Sequence, residues 1–224
     1  MNKKYIAASV LAMGLCFGAS KADQRLNDAA DVMNEIMGTP DKGVPEDLLN
    51  KSTCVIVVPG LKKGAFIVGG KYGKGFMVCR KERRGWSAPA AVRVEGGSFG
   101  FQIGGSETDV VMLVMNDGGV KKLLADKFTL GADASVAAGP VGRDSSAQTD
   151  AQMHAEMLTY SRSRGVFAGI SLQGATLRPD EEWNKELYGK DIPNQDIVLG
   201  TTPPPPGATR FLATLNKYSG RRTK

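Results

Sequence analysis

GGKYGKGFMVCR at 69–80 and GWSAPAAVRVEGGSFGFQIGGSETDVV at 85–111 carry the pattern that decides the fold, and YSRSRGVFAGISLQGA at 160–175 repeats it. Glycine recurs every few residues inside runs that otherwise read as strands. Glycine weakens a strand unless a bulge, a tight bend or a closely approaching partner requires it. The pattern therefore predicts an α+β fold built on a bent, mainly antiparallel sheet, either open or closing into a barrel, with backbone accessible to a ligand. Strands are expected at Cys54–Val58, Ala65–Gly69, Gly75–Arg80, Ala90–Glu95, Ser98–Ile103 and Asp109–Met115. Pro59-Gly60, Gly73 and Gly96-Gly97 read as the breaks between them.

Helices flank this sheet. Leu26, Ala29, Ala30, Met33 and Ile36 share one helical face over 24–38, opposite Asp28, Asp31 and Glu35. That acidic face is the wrong charge for an anionic membrane. Pro45 suits the first position of a short helix, Asp117 can cap another, and Pro179-Asp180 opens a third through Tyr188. Residues 150–178 read as a long hairpin turning at Gly165, with a helix as the alternative for Ala151 to Thr159. TTPPPPG at 201–207 is a stiff spacer before a last helix at 208–218.

The N-terminus reads as an address label. Lys3 and Lys4 precede an apolar run from Tyr5 to Gly18, and Ser20-Lys21-Ala22 offers small residues at the positions a signal peptidase inspects. Lys21 cuts the run short of the roughly 20 apolar residues a membrane span needs. The expected division is a signal peptide at 1–22, one domain at 23–200, and a Pro-rich spacer with a terminal helix at 201–224. The expected location is exported, periplasmic or secreted. Cys16 offers a lipoprotein alternative, against which bulky Leu15 stands where a small residue belongs. Removing Lys3, Lys4 and Lys21 from the 29 basic residues leaves 26 against 23 acidic ones, a net charge of +3. That does not support a domain-wide field for nucleic acid. Cys54 and Cys79 are either a disulfide, in an oxidising compartment, or two buried thiols.

Catalytic chemistry is poorly represented. His154 is the single histidine, and it has no motif partner for acid–base or nucleophilic work. The glycines at 69–75 fail the phosphate-loop spacing, because Ala65 or Val68 stands where the first glycine belongs. GKGFMV at 73–78 ends on Val78 where a dinucleotide loop needs glycine. No cysteine–histidine cluster has metal spacing, and no cofactor is expected. Asp109 is either a buried hydrogen-bonded carboxylate or a turn residue at a strand start. What the residues do offer is basic groups beside glycine-rich turns: Lys71, Lys74, Arg80, Arg143, Arg162 and Arg164. Their side chains suit phosphate oxygens. The alternative is solvated charge that discourages edge pairing. Tyr72, Phe76, Trp86 and Phe167 are candidates for apolar contact or for core, and Tyr160 for core.

Val44-Pro45-x-x-Leu48-Leu49, VIVVPG with GAFIVGGKYGKG at 55–75, GWSAPA at 85–90, FTLGADASVAAGPVGR at 128–143 and YSRSRGVFAGISLQGATLRPD at 160–180 together resemble the SYLF (Ysc84) domain family. The resemblance covers about 40–180. It implies a non-catalytic lipid-binding module for anionic, phosphoinositide-like headgroups, whose eukaryotic members also bind actin. An exported chain would not meet cytosolic actin, so the expected partner is an anionic phospholipid membrane. The alternative is an envelope scaffold that docks a protein partner through 201–224.

Overall fold

A computed structural model describes residues 20–39, 43–65, 68–81, 85–99, 104–125, 127–142, 154–163, 166–169, 172 and 174–219. It has the expected α+β architecture. Helix α1 (Lys21–Met37) and α2 (Glu46–Lys51) precede strands β1 (Cys54–Ala65), β2 (Val68–Cys79), β3 (Ala90–Phe99) and β4 (Gly104–Val114). Then come α3 (Asp117–Leu123), β5 (Phe128–Thr129), β6 (Val136–Ala138), β7 (Met157–Ser163), β8 (Val166–Gly169) and β9 (Thr176–Pro179). Helices α4 (Glu181–Tyr188), α5 (Asn194–Val198) and α6 (Thr209–Ser219) follow.

The sheet order is β5-β9-β3-β2-β1-β4-β7-β6, with β8 pairing β7. All pairs are antiparallel except β6 with β7. β5 and β6 lie at opposite edges yet are joined by only Leu130 to Ser135, so the sheet curls into a half-barrel.

The glycine breaks expected from sequence are not breaks. Pro59-Gly60 is a bulge inside β1, Gly73 sits within β2, and Gly96-Gly97 within β3. The segments expected as separate strands at 54–58 and 65–69 become one long strand and the start of the next. A ladder is made by backbone groups, and glycine supplies those as well as any residue. The bulge has a plain cause: Gly60 adopts φ +59°, a left-handed conformation natural to glycine. Asn116, not Asp117, caps α3, its side chain accepting from the Gly119 N–H. Asp180 caps α4 through the Trp183 N–H at 3.0 Å.

Strand alternation sorts the apolar residues into two cores. Ile56, Val58, Met77, Val92, Val110 and Met112 fill the inner face of the half-barrel. Val55, Val57, Phe76, Val78, Val111 and Leu113 face outward, covered by α1, α2, α4 and α6. Ser20 and Asp23 form a reciprocal capping box on α1, and Ala22 is fully buried. The first helix thus takes in the last two residues of the segment expected to be removed, with Ser20 as their cap. The rest of that segment, Cys16 included, lies outside the described residues.

The C-terminal helix is not held out on a spacer. Ala208, Phe211 and Leu215 are buried in the outer core with Leu26, Ala29, Ala30 and Met33, and Arg210 pairs with Asp31 at 3.0 Å. Its apolar face is used within the domain. Among the described residues, no helix is long and apolar enough to cross a membrane.

Candidate functional site

Three of the six candidate basic residues are built into the fold. Lys74 on β2 sits 2.9 Å from Asp180 and 3.4 Å from Glu182, and lies 4.6 Å over the Trp183 ring. Burial pulls its pKa down, but the Asp180 and Glu182 carboxylates outweigh that and hold it above the ordinary lysine value. It fastens α4 to the sheet. Arg80 donates to the Leu49 carbonyl at 2.9 Å and to the Ser219 carbonyl and hydroxyl, and stacks 3.8 Å over Trp86. It therefore closes the C-terminal ends of α2 and α6, where a cation is favoured. Arg80→Gln is expected to lower stability by about 2 kcal/mol, read as a shift in urea midpoint at constant slope.

Arg162 on β7 donates to Asp109 at 2.8 Å and pairs with Glu35 of α1. Asp109 is the hydrogen-bonded carboxylate of the two readings, since it also accepts from the Gly60 N–H at 2.9 Å. Burial pushes its carboxyl up, while the Gly60 N–H pulls the other way. These groups edge a polar cleft of about 490 Å³ that also exposes Asp28, Asp31 and Glu107. With Arg25 also lining it, the cleft carries four carboxylates against two guanidiniums. Arg143 and Arg164 lie outside the described residues.

The remaining candidate, Lys71, has company that sequence did not assign to it. The register aligns rows of residues across β3, β2, β1 and β4 at the glycine-rich end. One row is Gly96, Lys71, Lys63 and Ser106. The next is Gly97, Gly70, Gly64 and Gly105, four glycines abreast. The row before is Glu95, Tyr72, Lys62 and Glu107. Alternation puts Lys63 and Lys71 on the inner face with Leu61, and Lys62 and Tyr72 on the outer. Lys62 stands directly opposite Glu107, but Lys63 and Lys71 stand opposite each other. Tyr72 is 49% exposed, one of three large exposed apolar groups among the described residues. At Gly64 and Gly97 a Cβ would meet nothing within 4 Å.

Other residues singled out from sequence have structural places. Cys54 and Cys79 are register partners on β1 and β2 and form a disulfide, with Cα atoms 4.0 Å apart. Phe76 stacks on Trp183, with ring centroids 5.9 Å apart. Tyr160 is fully buried in the outer core, which raises its hydroxyl pKa. Trp86 is buried and donates to the Ser219 carbonyl at 3.1 Å. His154 is exposed and precedes β7 instead of sitting inside a hairpin strand. The side chain of Phe167 lies outside what is described.

A curled antiparallel half-barrel, helix-covered on its outer face and carrying Lys63 and Lys71 beside four aligned glycines at one end, defines the class of domain. The family model described as "Las17-binding protein actin regulator" (Ysc84) matches residues 95–218, more than half of the chain and through α6. The chain belongs to the Ysc84 (SYLF) family. It is 33% identical over 202 residues to SH3 domain-containing YSC84-like protein 1 of Rattus norvegicus, covering 90% of this chain and 58% of that protein. It is equally similar to the Homo sapiens protein of that name, at 33% over 202 residues, with the same coverage of 90% and 58%. LAS seventeen-binding protein 3 of Saccharomyces cerevisiae (strain ATCC 204508 / S288c) is 34% identical over 185 residues, covering 81% of this chain and 40% of that protein. The chain thus spans about half the length of the relatives it matches.

Proposed function

We propose that this protein binds anionic phospholipid at a membrane surface, without catalysis, through the glycine-rich end of its half-barrel. The observation that carries the reading is the Lys63–Lys71 pair. Two lysines face each other across a ladder, flanked in register by Gly96 and Ser106 and by no acid. Each basic group near an anionic bilayer contributes about 1 kcal/mol of attraction. Tyr72, exposed on the adjoining row, has the amphipathic ring favoured at a membrane–water interface. The cleft beside α1, with Glu107 and Asp109, opens on the outer face, so the inner-face lysines of the mouth are the proposed contact.

An exported setting fits the same picture. A buried disulfide persists in oxidising compartments and is rare in reducing ones. The yeast relative is named for binding Las17, and this chain covers 40% of it; that interaction is not carried over to this domain. An envelope scaffold docking through 201–224 has less support, because α6 already buries its apolar face.

The test is a pair of charge reversals. Lys63→Glu with Lys71→Glu is expected to lower liposome association at least about tenfold, from the loss and reversal of two attractive charges. Lys62→Glu with Lys121→Glu, the same change in net charge placed off the inner face, is expected to have a smaller effect. Equal losses from both would show that only total charge matters and would remove the assignment to this end.

A further inference from the structure

We infer that the inner face of the half-barrel mouth holds a seat for one tetrahedral oxyanion, a phosphate group bridged by Lys63 and Lys71 with Ser106 as a neutral donor. The inference rests on the reading of the glycine-rich end given above and supplies its ligand.

The first ground is the arrangement of charge. Directly opposed like charges on neighbouring strands are destabilising, by roughly 0.2–1 kcal/mol. On the outer face β1 avoids this, placing Lys62 between Tyr72 of β2 and Glu107 of β4. On the inner face it does not. The register neighbours of the pair along their own strands are Leu61, Ala65, Gly69 and Gly73, none of them acidic. Among the described residues, neither lysine has an ion-pair partner. Both are only half-exposed. Burial and then the neighbouring Lys71 lower the pKa of Lys63, as expected for a cation lacking a counterion.

The second ground is shape. Ser106 is exposed directly opposite Lys63, on the side away from Lys71. On the other side Gly96 stands opposite Lys71, and a Cβ on Gly96 would lie 3.2 Å from the Ala175 Cα. Ala175 therefore forms a wall at one side of the pair, and Ser106 offers a hydroxyl at the other. Below the pair, Leu61 and Val94 are buried. An anion can sit between the two ammonium groups, above these buried side chains. Lysine ammoniums serve a compact oxyanion as rotatable point charges and need no planar fork.

The phosphate can be free or the end of a lipid headgroup, and one experiment separates the two. Thermal unfolding of the protein is followed in inorganic phosphate and in sodium chloride of equal ionic strength. Liposome pelleting is measured in parallel. Phosphate is expected to raise the unfolding temperature above the chloride control, as any ligand of the folded state does. Lys63→Gln with Lys71→Gln should abolish that increment, and each single change should weaken phosphate binding about tenfold, as for a charge-assisted hydrogen bond. Lys71→Arg, which keeps the charge, should retain it. Without phosphate the Gln variants should be no less stable than the parent, because a repulsion has been removed.

If the double variant loses both the phosphate increment and liposome pelleting, the phosphate is a headgroup. If it loses the increment but still pellets, the site takes free phosphate. If the parent shows the increment but pellets with no liposome, the membrane reading fails and the anion site stands. An equal effect of phosphate and chloride, or an increment unchanged in the double variant, overturns the site.

Discussion

Gly75→Ala is expected to destabilise the fold by about 3 kcal/mol, the upper end of what overpacking costs. Gly75 lies on the inner face of β2 where β1 enters its bulge. A Cβ there would stand 2.0 Å from the Val57 carbonyl oxygen, 2.7 Å from the Val58 Cα and 2.9 Å from the Val57 carbonyl carbon. All three are backbone atoms and cannot swing aside like a side-chain end. Relief requires moving β1 from β2, which breaks the register at Val57–Phe76 and disturbs both cores. The comparison is Gly64→Ala, where nothing lies within 4 Å. That change should stay within about 0.5 kcal/mol. Urea unfolding of the two variants decides the matter. Equal midpoints would mean that the close approach of the strands is wrong.

Loss of the Cys54–Cys79 disulfide has a comparable expected cost. The bond spans 25 residues of sequence and closes the base of the β1–β2 hairpin. Restricting an unfolded loop of that size is worth about 3 kcal/mol in the chain-entropy account. Both sulfurs are buried, at 0% and 1% exposure, so reductant should act only on opened molecules. The expected result is that Cys54→Ala with Cys79→Ala unfolds at a lower urea concentration than the oxidised parent. The reduced parent should fall to a similar midpoint, and the variant should ignore reductant. A parent insensitive to reductant, with free thiols by titration, would contradict the bond.

These two sites show where sequence reading reached and where it stopped. The glycine density pointed correctly to a bent antiparallel sheet, because glycine at strand spacing asks for a close partner, and at Gly75 that partner is the β1 backbone. The same glycines misplaced the strand ends, since Gly96-Gly97 looks like a turn but pairs with Lys71 and Gly70 in a continuous ladder. Basic residues were legible as charge and illegible as site. Lys74 finds Glu182 108 residues later, and Arg80 finds Ser219 139 residues later. No local pattern announces either. Lys63 adjoins Lys62 in the sequence, and no local pattern tells which of the two faces inward. Its facing depends on one extra residue at Pro59-Gly60, because a single-residue bulge moves every later side chain to the opposite face. Without that bulge Lys62 would face inward and Lys63 outward.

The most direct test of the central claim is sedimentation of the protein with liposomes of rising anionic phospholipid content, at low and high salt. The account predicts a pelleted fraction that grows with anionic content and falls as salt screens the lysines. No pelleting at any composition, or pelleting indifferent to both lipid charge and salt, would contradict it.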